Sequence, residues 1–386
     1  MHRSIIRLLY ARGSRPAASR GETIALRFMV TQLESCGVTT QNRPFPSFST
    51  SAWYYAFAYA LFPAATVAYI LSIPAALFLV ITGTVLLRCD LIIWPFINRM
   101  FALTSRSAVV AGIIPPVKEK LHTVVITANT DNRRVLLPVF KWPFLERLKL
   151  PFLLLVDLTR VLQLLMYMVA TGLDAFNMYS QVMYLWRLSH VSAMLSLLTV
   201  LFYLAQAMHG KPVSCANDNL TGMQVLADLA GEITKNPFQY TEVMLAAVGA
   251  SHSGALGASH LIRTYKPDRE STFFFNISAV GCGRVAMASS EGTTRPILAT
   301  DDLTDLGYVI GSNAPYALEV VSTPQRRSDC SMARSMGYRA MTIVGLMPNN
   351  RPAFRCNEDD IVQENLDHTR DCLKRMILSI DQHALA

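Results

Sequence analysis

Apolar positions fall into two kinds of pattern along this chain. Trp53 to Leu87 is a run of 35 residues without a charge, and a second apolar block, Pro151 to Met208, is interrupted by Asp157, Arg160, Asp174 and Arg187. A spanning helix needs roughly 20 apolar residues, so each block can cross a bilayer twice. The pattern predicts four transmembrane helices near 53–72, 74–97, 151–171 and 188–208. Asp157 and Arg160 lie three apart and share a helix face, where they can pair with each other.

Outside these blocks the periodicity is that of a packed α/β domain. Residues 17–36 read as an amphipathic helix, with Ile24, Phe28, Met29 and Leu33 at helical spacing and Gly37 as its cap. VTTQNRPFP reads as a strand, and His122–Ala128 (HTVVITA) as a buried strand rich in β-branched residues. After His209 a helix is predicted over Asn219–Ile233, with Met223, Val225, Leu226 and Leu229 inward. Strands follow at Glu242–Val248, Thr272–Ile277 and Tyr338–Val344, with helices at Gly254–Arg263 and Asp360–Leu385. Leu366, Leu373, Met376, Ile377 and Ile380 form one stripe of the last helix. Such alternation argues for α/β with a largely parallel sheet.

Composition sharpens this picture. The chain is 52% apolar and only 16% charged, against about a quarter charged in soluble domains. The net charge of +8 does not call for nucleic acid, because many Lys and Arg flank the apolar blocks, where lipid headgroups lie. Seven cysteines without a CxxC pair suit a reduced compartment. The Arg-rich start, MHRSIIRLLYARGSRPAASRGE, lacks the apolar core of a signal peptide.

Three stretches carry a resemblance. SCANDNLTGMQVLADLAGEI (214–233), NPFQYTEVMLAAVGASHSGALGASHLIR (236–263) and LHTVVITANTDN (121–132) resemble, in that order, three segments of the di-zinc aminopeptidases of the twenty-eighth metallopeptidase family. These are the Asn-Asp-Asn turn with its helix, the Glu-Glu loop, and the strand ending in His-x-Asp. The lead-in helix with QNRPFP, and the stretch from Ser328 to the end, also match, and one branch of the family carries apolar insertions at these two places. The resemblance implies a three-layer aminopeptidase-like domain with a mixed central sheet. Its pieces would be 1–52, 98–150 and 209–386, with membrane hairpins at 53–97 and 151–208.

That chemistry needs two zinc ions, held by His, Asp and Glu at about 2.0–2.2 Å, and a carboxylate base that takes a proton from water. Carried over by resemblance, the first His ligand falls on Asn129, while the accompanying Asp survives as Asp131. The bridging Asp survives as Asp218. The base falls on Ser251, the adjacent ligand on His252, the next on Ser278, and the last on Arg355 or Cys356. Of five ligands and one base, only Asp218 keeps its type. A serine needs a partner to act as base, and an arginine at a ligand position brings permanent charge.

These losses imply a domain without catalytic residues or cofactor, a pseudopeptidase kept for binding a protein or peptide. The alternative is a divergent aminopeptidase with one zinc on Asp218, His252 and Cys356. Ser251 as a nucleophile meets the objection that GxSxG is broken by Ser253 and that no Asp or His partner can be assigned. If the soluble pieces form one domain, they share one side of the membrane. Seven Arg in 1–52 and nine Lys plus Arg in 98–149 place that side in the cytoplasm of an inner (plasma) membrane protein.

Overall fold

The computed structural model describes the chain except residues 1–3, 103–104, 137–142, 214, 293–295, 312–317, 324–327, 349 and 384–386. Ser214, at the head of the Asn-Asp-Asn stretch, and the last residues of the expected C-terminal helix lie outside the described residues. The chain divides into two compact units, one of 1–49, 97–133 and 212–386, the other of 50–96 and 134–211.

The first unit is built on a nine-stranded sheet. Its strands are β1 (Thr40–Pro46), β2 (Arg106–Ile114), β3 (His122–Asn129), β4 (Thr241–Val248), β5 (Thr272–Ser278), β6 (Arg284–Glu291), β7 (Ile297–Leu298), β8 (Glu319–Thr323) and β9 (Arg339–Leu346). The order is β1-β2-β4-β3-β5-β9-β6-β8, with β7 beside β6. The centre, β4-β3-β5-β9, is parallel, whereas β1-β2, β2-β4 and β9-β6 are antiparallel. The sheet is therefore mixed, as the resemblance implied, and less parallel than the alternation of elements suggested. The difference comes from β2 and β6, whose short apolar runs carry no distinctive period.

Central strands are buried on both faces and read as unbroken apolar runs, as in TFFFNIS. The edge strand β1 instead carries Pro44 and Pro46 and a mostly exposed face, which suits an edge that must not recruit another strand.

Helices cover both sheet faces. On one lie α1 (Ser4–Tyr10) and α2 (Arg20–Ser35), and further along the chain α8, α10 and α12. The chain passes first through α3 (Ala52–Ala68), α4 (Ile73–Arg88), α5 (Asp90–Phe101), α6 (Pro143–Ala175) and α7 (Tyr179–His209). Then come α8 (Leu220–Lys235), α9 (Leu256–Tyr265), α10 (Asp301–Gly311), α11 (Asp329–Ser335) and α12 (Gln363–His383). Helices α9 and α11 pack on the opposite face.

The expected stripes of α8 and α12 are buried as anticipated. In α2 the buried stripe is Glu22, Ala25, Leu26, Met29 and Leu33, with Ile24 and Phe28 only half-buried. A charged residue thus occupies the inward face. Ser19 caps this helix by accepting from the Glu22 N–H.

The second unit corrects the count of four spans. Among the described residues two helices are long and apolar enough to cross a membrane, Pro151–Ala175 and Tyr179–His209, or three if the bent pair α4–α5 counts as one. At a rise of 1.5 Å per residue, α3 and α4 are each only about 25 Å long, short of the roughly 30 Å hydrocarbon core. Helix α4 ends at Arg88, and the chain bends by 96° into α5.

A buried cluster of neutral polar groups in this unit is mutually bonded. Gln163 Nε2 donates to the Phe62 carbonyl (3.1 Å), Thr66 Oγ1 (3.1 Å) and Tyr167 Oη (3.3 Å), and the Tyr167 hydroxyl donates to Ser189 Oγ at 3.0 Å. Asp157 and Arg160 do pair, and the guanidinium also lies 4.7 Å from the ring centre of Tyr59.

Candidate functional site

Parallel strands align their C-terminal ends. Asn129 at the end of β3 pairs with Val248 at the end of β4, and Ala128 pairs with Ile277 in β5. The loops that follow these strands therefore open on one edge of the sheet, where α/β folds place their sites.

The loop after β4 is held by its backbone. Gly249 N donates to the Ala108 carbonyl at 3.0 Å. A Cβ on Gly249 would come within 2.2 Å of Ser107 Oγ and 2.8 Å of the Ala108 carbonyl oxygen, so only glycine passes here. Three successive N–H groups then meet buried carboxylates. Ala250 N donates to Glu22 Oε1 (2.7 Å), Ser251 N to Asp131 Oδ1 (3.0 Å) and His252 N to Asp131 Oδ2 (2.9 Å). Ala250 and Ala255 both adopt φ of +54°, a left-handed conformation that costs a non-glycine residue free energy. The carboxylates hold it.

Seven of the eight family positions lie in or beside one network, although not as a metal set. His252 Nε2 is 3.0 Å from Asp218 Oδ1 and 3.3 Å from Asn129 Nδ2. Asn129 Oδ1 accepts from Asn219 Nδ2 at 3.0 Å, and Asn129 Nδ2 donates to the Asp131 carbonyl at 3.1 Å. Asp218 Oδ2 also accepts from Arg133 N at 3.3 Å. Ser278 ends β5, buried, flanked by the Ile277 carbonyl and Ala279 N that bind the Asn219 side chain. Ser251 donates to Asp329 Oδ2 at 3.1 Å.

Cys356 joins through its backbone, its carbonyl accepting from Ala216 N at 3.1 Å. Its side chain is half-buried and packs against the core of the first unit. Arg355 is exposed on the same loop.

The electrostatics follow from burial. Burial disfavours the His252 cation, but Asp218 outweighs it and holds the imidazole above its ordinary pKa. Burial likewise opposes the Asp218 carboxylate, and His252 and Arg133 overcome this and lower its pKa. Asp131 is raised by burial against the pull of His252 and the two loop N–H groups. Burial, then the Asp131 charge, pushes Glu22 up to about 8. Asp329 is pushed up to about 7, chiefly by burial.

A second buried cation balances the carboxylates. Arg15, 2% exposed, sends Nε to the Thr130 carbonyl at 3.1 Å and Nη2 toward the Asp218 carbonyl at 3.4 Å. Burial lowers its pKa to about 10 while Asp218 and Asp131 support the charge.

Four residues here were not singled out in the sequence. Glu22 carried a signal, since it lies at i−4 from Leu26 and i−7 from Met29 on the buried stripe. Asn219 sat inside the Asn-Asp-Asn turn. Arg15 lies in an irregular lead-in, and Asp329 lies 78 residues from Ser251; neither stands in a local pattern.

The mixed sheet, with its loops opening at the strand ends, has the fold of zinc aminopeptidases. Residues 199–379 match the family described as Peptidase family M28. The resemblance read from the sequence is thereby shown. Among solved structures, the chain is similar to an aminopeptidase from Aneurinibacillus sp. strain AM-1, at 14% identity and a TM-score of 0.54, covering 97% of this chain and 92% of that one. BSAP, a zinc aminopeptidase from Bacillus subtilis, gives 12%, 0.54, 97% and 93%. A glutaminyl cyclase from Bacteroides thetaiotaomicron gives 11%, 0.54, 97% and 94%. At these identities the likeness concerns the fold. No curated protein matches the sequence.

The expectation of a domain without a cofactor is corrected by these matches, which point to zinc. The side chains present are a poor fit for two zinc ions. Among the described residues no three His, Cys, Asp or Glu side chains converge as a metal group. Asp218 and His252 are bonded to each other, Asp131 is taken up by two loop N–H groups, and Asn129, Ser251 and Ser278 offer only an amide and hydroxyls, weak ligands for zinc.

Proposed function

We propose that this chain is a bilayer-anchored protein whose M28-type domain binds a protein or peptide segment at the strand-end site and does not run the two-metal hydrolysis of its relatives. The carrying observation is the run of contacts Asp218–His252–Asn129–Asn219, in which three groups at the ligand positions implied by the resemblance are engaged with one another. The base position supports the same reading, because Ser251 carries no charge with which to draw a proton from water.

The apolar helices support anchoring, and the Arg-rich flanks of the first unit support its placement on the cytoplasmic side of the plasma (inner) membrane. The test uses the full chain in mild detergent with zinc supplied. A panel of aminoacyl p-nitroanilides should show no turnover above blank. Short fluorescent peptides should bind with an affinity that His252→Ala and Asp218→Ala reduce. Zinc-dependent turnover that vanishes in His252→Ala would overturn the reading.

A further inference from the structure

The loop serine has a partner that the sequence could not supply. Ser251 is half-buried, and its hydroxyl donates to Asp329 Oδ2 at 3.1 Å. Asp329 is 3% exposed, and its Oδ1 has no hydrogen-bond partner among the described residues.

Its position is fixed from behind. Asp329 is the first residue of α11, whose start is closed by a capping box between Ser328 and Ser331. Both of those hydroxyls donate to Glu291 Oε2 at 2.6 Å. Ser251 is fixed just as firmly, with its own N–H on Asp131 and its neighbours' N–H groups on Glu22 and Asp131. A reachable hydroxyl, backed by a buried carboxylate that has one unused oxygen, on a strained turn between a strand and a helix, is the arrangement of an activated nucleophile.

We infer that Ser251 is an acyl acceptor, with Asp329 as its proton acceptor, for carboxylic esters that reach the strand-end site. In the step, Ser251 Oγ bonds to the ester carbonyl carbon and the bond from that carbon to the alkoxy oxygen breaks. The hydroxyl proton passes to Asp329 Oδ2 and then to the departing alkoxide, which leaves as an alcohol. The carboxylate is restored, and no oxidant, reductant or metal enters the balance. This reactivity goes beyond polypeptide binding and stands or falls separately from it.

The test is covalent labelling of the full chain in detergent with an alkyl fluorophosphonate and with p-nitrophenyl acetate, followed by peptide mapping. One adduct on Ser251 is expected from each probe, absent in Ser251→Ala. In Asp329→Asn the rate should fall by roughly a hundredfold or more, the lower range of general-base effects. If Asp329→Asn does not fold, the wild-type labelling rate in heavy water replaces it, and a slowing of about twofold is expected for a proton in flight. An unlabelled Ser251 at millimolar probe would overturn the inference. So would a rate that neither Asp329→Asn nor heavy water changes.

Discussion

The two units bury polar groups by opposite rules. At the strand-end site of the first unit the buried groups include ionisable side chains, several of which meet an opposite charge or backbone N–H donors. Asp131 takes two N–H groups, Asp218 faces His252, and Arg15 lies beneath both. In the apolar unit the buried cluster around Gln163, Thr66, Tyr167 and Ser189 is neutral throughout. The difference shows what each surrounding can tolerate. A sheet edge supplies oriented N–H groups that compensate charge, whereas neighbouring apolar helices have spent theirs internally and leave only hydroxyls, amides and carbonyls.

Four measurements test this contrast. The largest effect is expected for Asp131→Ala, which strands two loop N–H groups and unbalances His252 and Arg15. Chemical unfolding should show a loss of about 3–5 kcal/mol, the range for breaking a buried charged network. A loss below about 1 kcal/mol would mean the loop is not held by this carboxylate.

Gly249→Ala comes next. The added methyl must displace Ser107, the Ala108 carbonyl or Glu22, and should cost about 1–3 kcal/mol in the same assay, as overpacking does. Unchanged stability would show that the turn can shift.

The third effect is on pH dependence. Glu22 binds its proton more tightly folded, at about 8, than unfolded, near 4.5, and Asp329 behaves alike, about 7 against 3.8. The stability that these protonated carboxyls contribute is complete below the unfolded values and is lost as pH rises through the folded ones. Tm should therefore fall from about pH 5 to about pH 8, and Glu22→Gln should flatten that slope. An equal slope in the variant would remove Glu22 from the account. His252, also raised by its partner Asp218, adds a loss of the same sign above its ordinary pKa.

The smallest effect is expected in the apolar unit. Gln163→Leu removes an amide whose two N–H groups are shared among Phe62, Thr66 and Tyr167, yet Tyr167 keeps Thr66 and Ser189 as partners. Thermal unfolding should register about 0.6 kcal/mol, the average for such bonds between apolar helices. A loss as large as that of Asp131→Ala would erase the distinction between the units.

Much of this was present in the chain itself. The apolar blocks, the central strands, the stripes of α8 and α12 and the family resemblance are all matters of local period and residue type. A strand buried on both faces must be apolar, and a helix covering a sheet must carry a stripe. Length alone did not separate a bilayer-spanning helix from a shorter one. The uncharged run from Trp53 to Leu87 contains two helices of 17 and 16 residues, where the pattern suggested spans. The strand order and the antiparallel placement of β2 and β6 likewise rest on pairings between distant segments.

The family resemblance, and the residue types that stand at the positions it singles out, were legible along the chain, because both are properties of consecutive residues. Only the tertiary structure decided how those positions are used now. It brought Asp329 to Ser251, Glu22 to Ala250 and Arg15 beneath Asp218, contacts across 78, 228 and 203 residues. Charge balance in a buried site is set by distance in space, on which residue spacing along an irregular chain places no constraint.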